Sequence, residues 1–312
     1  MSISTTARAV DLLQRAANSD LYYSFRSSKM VMVAALVSFI MIVGATFSPI
    51  LAPHNTLDLA SISLIDSLTP PVWMEDGDSR FLLGTDDQGR DMLSAIMHGA
   101  RVSLFVGFAS VIFAMVLGVS LGLISGYAGG FLDSFIMRAA EIQLSFPAIL
   151  IALLIDGIFR GALDSKTHDE LAVYVMILAI GLSFWVQYAR TVRSSTLVEK
   201  SKEYVEAARV TGLPPFLIVF RHILPNVTGP LLVIATINLA LAIITEATLS
   251  FLGVGVPPTE PSLGTLIRVG NDFLFSGEWW ITIFPGIALA VLVLAVNLLG
   301  DWLRDALNPK LR

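Results

Sequence analysis

The 312-residue chain has no cysteine. That excludes disulfides and thiolate metal sites, while leaving the compartment open. Charge is scarce as well. Asp, Glu, Lys and Arg make up 14% of the residues, against about 25% in a soluble globular domain. The four histidines, His54, His98, His168 and His222, are scattered, with no H-E-x-x-H pair among them. No G-x-x-x-x-G-K-[ST] loop occurs, so the chain is not expected to bind ATP through a P-loop. With no catalytic constellation, the chain reads as a non-enzyme, and any work it does must draw on a partner or an ion gradient. The net charge of −5 is mild and carries no signature of nucleic-acid binding.

What the chain has in abundance is apolar length. It is 55% hydrophobic, with a mean hydropathy of +0.75. Several runs reach the roughly 20 residues needed to cross a bilayer. Lipid satisfies no backbone polar groups, so such runs must be helices or closed-barrel strands, and their length and continuity favour helices. The expectation is an all-α integral membrane protein. Its six spans fall near 30–51, 102–125, 133–157, 171–190, 227–250 and 280–300. The first follows a polar stretch of 29 residues and is too long for a signal-peptide core, so it reads as an uncleaved span.

Lys and Arg then set the orientation. The N-terminal tail (Arg8, Arg15, Arg26, Lys29), the second and fourth connections and the C-terminal tail together hold fourteen of the twenty. That side should face the cytoplasm, placing both termini inside. The connection from 52 to 101 then lies outside, and it is rich in acid, from Asp58 to Asp91. Tails are expected at 1–29 and 301–312. An outer segment with an amphipathic helix is expected at 52–100, and a five-helix transmembrane domain at 101–300.

The stretch "EYVEAARVTGLPPFLIVFRHILPN", residues 203–226, breaks the oily pattern between spans four and five. Glu203, Glu206 and two alanines favour a helix, and Ser201 can cap it. Tyr204, Ala207 and Ala208 share one face. Gly212 can end the helix at positive φ, and Pro214-Pro215 can begin another. Leu224-Pro225 is expected to stop that second helix before span five. Helices this short are marginal alone and must pack on something. Periodicity leaves open whether that is their own spans or a partner.

The same stretch resembles the EAA loop of bacterial ABC-transporter permeases: Glu206, Ala207, Ala208, Gly212, Leu224 and Pro225 fit its spacing. His222 stands where that pattern has an apolar residue, with Ile223 one place later. The resemblance implies that 201–225 is a coupling loop, Glu203 included, seated on an ATP-binding subunit. A second stretch, "LLGTDDQGRDMLSAIMHGARVSL" (82–104), is similar to the segment before span two in C-type permeases of the dipeptide, oligopeptide and nickel importers. Gly84, Thr85, Asp86, Gly89, Arg90, Asp91, Gly99 and Arg101 carry that likeness. "SFLGVGVPP" (250–258), "LGTLI" (263–267) and "WWITIFPGIALA" (279–290) extend it over most of 30–312.

The family implies a type I ABC importer permease in the bacterial inner membrane. Its partners would be a homologous B-type permease, two ATP-binding subunits and a periplasmic substrate-binding protein. No cofactor is implied on this chain; ATP and Mg would sit on the partner subunits. Di- or oligopeptides lead as substrate, with glutathione, nickel chelates and opines as alternatives. In the 82–104 segment, the residues themselves suggest a short outer helix capped by Asp86 or Asp87. Met92, Leu93, Ile96 and Met97 would form its apolar stripe, and Gly99 would break it before span two. Such a helix serves equally as a collar or as contact for a substrate-delivery protein.

Ionisable and amide side chains inside spans are candidates for the path. Arg138 and Glu141, three residues apart, suit an ion pair on one helix face. Gln143, Asn238 and Asn297 can line a polar path or knit helices together. Glu246 falls near the outer mouth, where it can meet a substrate amine, face solvent or pair with an outer arginine. Pro147 and Pro285 are expected to bend their helices. Two rival readings remain at this level. An ion-coupled transporter should show inverted repeats or matched broken helices. A purely structural anchor would need no coupling loop.

Overall fold

Ser28 starts the first span by accepting the N–H of Val31, 3.4 Å away, at a point where the chain turns from polar to apolar. The computed structural model describes residues 20–56, 62–257 and 260–307. Helix α1 (Asp20–Ser27) precedes α2 (Lys29–Thr46), and a last turn, Ser48–Leu51, completes the first span. Next come α3 (Met92–Ala128), α4 (Gly130–Leu144), α5 (Ala148–Ala162) and α6 (Ser165–Glu199). A short α7 (Glu203–Val210) and α8 (Pro215–Ile218) form a hairpin. Helices α9 (Leu224–Phe251), α10 (Leu263–Phe273) and α11 (Trp280–Leu307) follow. Five helices are long and apolar enough to cross a membrane, and the bent α4–α5 pair makes a sixth if it is one span.

The centre of the bundle is α3 lying parallel against α6, with Ser110 beside Gly181 at one end of the seam and Gly126 beside Thr196 at the other. Gly118, Gly122 and Gly126, one turn apart, let the two backbones meet. A Cβ on Gly118 or Gly122 would fall on the carbonyl oxygens of Trp185 and Ala189, and one on Gly126 would lie 2.7 Å from Thr196 Cβ. Between helices in lipid, close packing of this kind replaces the hydrophobic drive that water supplies. Helix α9 packs on both members of this pair, α11 packs on α9 and α3, and α2 lies across α11 and α3. At one end of the bundle, Lys200 Nζ donates to Gly126 O at 2.8 Å, covering a carbonyl left free at the end of α3.

Three expectations about helix ends need correction. Gly99 does not break a short outer helix; α3 runs unbroken from Met92 to Ala128. Its missing side chain instead admits the start of α10, since a Cβ there would lie 3.1 Å from Leu263 N. Residues 92–99 are therefore the buried head of a span and do not form an amphipathic helix lying on the interface. The helix cap is Asp91, which accepts Ser94 N–H at 2.9 Å, and not Asp86 or Asp87.

The span expected over 133–157 is two helices meeting at a 98° bend. Pro147 has no N–H and disfavours the helical conformation in Phe146. Side chains hold the bend to α6 and to itself. Gln143 Nε2 donates to Leu182 O at 2.5 Å, Ser183 Oγ to Ala148 O at 3.2 Å, and Ser145 Oγ to Glu141 O at 3.1 Å. Pro285, by contrast, sits inside a helix that continues past it.

Leu224-Pro225 is no stop either. The helix from Pro215 runs through to Phe251. A π-helical turn at Val219–Ile223, closed by Leu224 N–H to Val219 O, widens the helix where Pro225 would otherwise crowd the preceding turn.

Candidate functional site

The hairpin formed by α7 and α8 stands at the end of the bundle where α3 and α6 end and α9 begins. Ser201 does not cap α7. Its hydroxyl donates back to Val198 O, and the cap position is Lys202 with no side-chain bond. Glu203 and Glu206 are exposed in the first turn, where the helix dipole favours acid. Gly212, at φ +78°, ends the helix. Its N–H donates to Arg209 O and that of Leu213 to Ala208 O, the paired bonds of a Schellman turn. Val205 and Ala208 are buried, and with Ile218 and Ile223 they join the same core cluster as Leu123, Tyr188, Val192 and Leu231 of the spans. Ala207 and Pro225 are exposed and Leu224 is half-buried.

Tyr204 locks this hairpin to two spans. Its hydroxyl donates to Glu199 Oε2 at 2.5 Å, at the end of α6, and accepts from Asn226 Nδ2 at 3.1 Å, at the start of α9. Burial, with the Glu199 carboxylate alongside, raises the pKa of the Tyr204 hydroxyl, so it remains a donor. Lys202 pairs with the other Glu199 oxygen at 2.7 Å. Arg209 lies over the Tyr127 ring, 5.5 Å from its centre, tying α7 to the end of α3. The sequence reading placed Tyr204 beside Ala207 and Ala208 on one face; its bonds to Glu199 and Asn226 were not foreseen. Only its conspicuous place in a charged stretch pointed to it.

The far side of the hairpin is apolar and uncovered. Val210 is 88% exposed and Phe216 69%, and the Phe216 ring lies tilted against that of the exposed Phe220, 4.4 Å between centres. This surface too escaped the sequence reading, because its residues straddle the Thr-Gly-Leu-Pro-Pro break and share no helical register.

At the opposite end, the 84–91 motif is a buried knot. Thr85 Oγ1 donates to Asp66 O at 2.6 Å and accepts Thr69 N–H at 2.8 Å. Asp86 Oδ2 takes Arg90 Nε at 2.6 Å, and its other oxygen accepts the N–H groups of Gln88 and Arg90, each at 2.9 Å. Asp91 also takes the Ser94 hydroxyl, while Gly84 and Gly89 hold positive φ. Trp280 Nε1 donates to Thr85 O at 3.0 Å, pinning the knot to α11. Thr85, Asp86, Arg90 and Asp91 are all buried, so their side chains serve the clamp. Gly99 lies under α10, and Arg101 is exposed at a cavity rim.

The candidate path residues are not brought together. Arg138 and Glu141 form the expected pair, 3.2 Å apart and exposed. Asn297 is exposed on α11. Asn238 is fully buried facing the Tyr188 hydroxyl, and neither side chain completes a hydrogen bond of good geometry. Glu246 is also fully buried and meets neither solvent nor an arginine. It accepts Ser103 Oγ at 2.6 Å and Ser250 Oγ at 2.8 Å, and Ser103 in turn accepts Leu263 N–H at 3.3 Å. Glu246 therefore joins α3, α9 and α10, and the expectation of a mouth-facing carboxylate is overturned. No group of three His, Asp or Glu placed to hold a metal ion occurs among the described residues.

The bundle thus carries a span break tied to a neighbouring helix, and at one end a hairpin locked to three spans and bare on its far side. Comparison with known proteins decides the family. Residues 118–312 match the model of the binding-protein-dependent transport system inner membrane component. The chain belongs to this family. It is the permease subunit of a binding-protein-dependent ABC importer, and the ion-coupled alternative falls away.

The dipeptide transport system permease protein DppC of Haemophilus influenzae is 38% identical over 293 residues, covering 94% of this permease and 95% of that chain. DppC of Escherichia coli K12 is 39% identical, covering 94% and 93%. The di/tripeptide permease DppC of Pseudomonas aeruginosa is 36% identical, covering 94% and 92%. Among solved structures, inward-facing MetNI, a methionine ABC transporter, aligns with a TM-score of 0.54 at 22% identity. It covers 70% of this permease and 98% of that chain, a likeness of fold. The permease is thus a multi-pass protein of an inner-membrane family whose importers work with ATP-binding and substrate-binding partners.

Proposed function

We propose that this permease forms half of an inward path for di- and oligopeptides and is driven through the α7–α8 hairpin by an ATP-binding subunit. The observation that carries the proposal is the hairpin itself. Its inner face is continuous with the core of the spans, and its outer face presents Val210, Phe216 and Phe220 uncovered. An exposed apolar patch rimmed by polar residues marks a docking surface. The dipeptide names of the relatives at 36–39% identity support the substrate class.

The excess of Lys and Arg at the hairpin end supports a cytoplasmic placement of that end and of both termini. A homologous B-type permease completes the path, two ATP-binding subunits sit below, and a periplasmic binding protein delivers from above. The chain itself is non-catalytic; ATP and Mg belong to the partner subunits. ATP shifts the bundle only insofar as it binds one state better than the other. Glu203 and Glu206, exposed beside the apolar patch, suit a partly basic cleft. Glutathione, nickel chelates and opines are distinguished from peptides by the binding protein.

The test is radiolabelled dipeptide uptake by cells or vesicles holding the whole complex. Val210→Asp with Phe216→Asp should abolish uptake and release the ATP-binding subunit on purification. Wild-type uptake by that variant contradicts the coupling role.

A further inference from the structure

A cavity of about 930 Å³ opens between α2, α3 and α6, at the end of the bundle away from the hairpin. Its volume is near the top of the range of about 300–1,000 Å³ usual for small-molecule pockets. The part toward the middle of the bundle is hydrocarbon: Ile42, Val102, Phe105 and Phe108 line it, the two phenylalanines being 55% and 59% exposed. The rim is charged. Arg101, Glu170 and Glu260 stand there with Tyr174 beside them. None of the three charged groups has an ion pair among the described residues, whereas Arg80, Arg90 and Arg160, at the same end, each hold a carboxylate.

We infer that this cavity binds a phospholipid with a zwitterionic, primary-ammonium headgroup, that of phosphatidylethanolamine. Arg101 takes the phosphate, Glu170 and Glu260 take the ammonium, and the acyl chains lie on Phe105 and Phe108. The depth fits, because Arg101 immediately precedes the apolar run of α3, and Tyr174 is an aromatic of the kind found at a membrane interface. The charges fit as well. Two carboxylates beside one guanidinium repel a purely anionic headgroup, and a trimethylammonium has no N–H to donate to them. The inference holds whichever end of the bundle faces the cytoplasm.

The test uses the intact importer complex in lipid discs of equal phosphatidylethanolamine, phosphatidylcholine and phosphatidylglycerol. After detergent washing, retained lipid is identified by headgroup in the intact complex by mass spectrometry. Wild type should retain phosphatidylethanolamine selectively. Arg101→Gln and Glu170→Gln should each lower that retention about tenfold, the effect of losing one charge-assisted contact. Arg138→Gln, an exposed pair elsewhere, should leave it unchanged.

Unchanged retention in both rim variants, or preferred retention of phosphatidylglycerol, overturns the inference. So does a rise in the half-saturating dipeptide concentration in Arg101→Gln with lipid retention intact, which would make the rim a substrate subsite. If the rim variants fail to assemble, Phe105→Cys carrying a fluorophore replaces them, since the chain has no other cysteine. Brominated phosphatidylethanolamine should quench it more than brominated phosphatidylcholine. Equal quenching, or a cross-link from Tyr174→Cys to the partner permease, overturns the inference.

Discussion

At Tyr204 one hydroxyl spans three helices, reaching Glu199 of α6 and Asn226 of α9 from its own place on α7. Removing it with Tyr204→Phe costs about 1 kcal/mol of hold between hairpin and spans, given its partial exposure. Dipeptide uptake should fall several-fold while the ATP-binding subunit still co-purifies; uptake at the wild-type rate would show that the contact transmits nothing. Gly212 is the second critical residue, because its φ of +78° admits few side chains. Gly212→Pro should abolish uptake and Gly212→Asn should retain most of it, since asparagine tolerates that conformation. Equal uptake by the two variants would deny the turn its role. The Asp86–Arg90 pair is both buried and hydrogen-bonded. Asp86→Ala removes the buried carboxylate that takes Arg90 Nε and the backbone N–H groups of Gln88 and Arg90, and should cost about 3–5 kcal/mol. An unchanged melting temperature of the purified complex would contradict that.

At the scale of elements, the decisive contact is the glycine seam between α3 and α6. Gly122→Leu drives a side chain into the Ala189 carbonyl and Val192. Overpacking of this kind costs about 1–3 kcal/mol where the helices can move apart. The variant should lose assembled complex on gel filtration, and a wild-type profile would mean that the helices do not meet as described.

Elements were also where the sequence could be read most and least. The long apolar runs, the end of α7 at Gly212 and the break at Pro147 were all visible in it, since each follows from local backbone chemistry. Helix continuity was not. Gly99 and Leu224-Pro225 look like stops, yet α3 and α9 pass through them. In lipid no water competes for the backbone, and a local π turn can absorb a proline. Glu246 misled for another reason. Distance along one helix placed it at the mouth, but Ser103, 143 residues away in sequence, buries and bonds it.

For the molecule as a whole, the proposed coupling makes the hairpin the place where force enters. Its buried residues share one core with the central spans, its rim is tied by Tyr204, Lys202 and Arg209, and its outer face is bare. A push on that face must therefore move α3, α6 and α9 together. The measurement that tests this most directly is a cysteine cross-linking scan. Single cysteines at positions 203–223, in a chain that has none of its own, are tested against a co-expressed ATP-binding subunit with and without ATP. The account predicts cross-links at Val210, Phe216 and Phe220 that change with nucleotide, and none at the buried Val205 and Ile218. No cross-link at any position in an intact complex would contradict it, leaving the hairpin as internal packing alone.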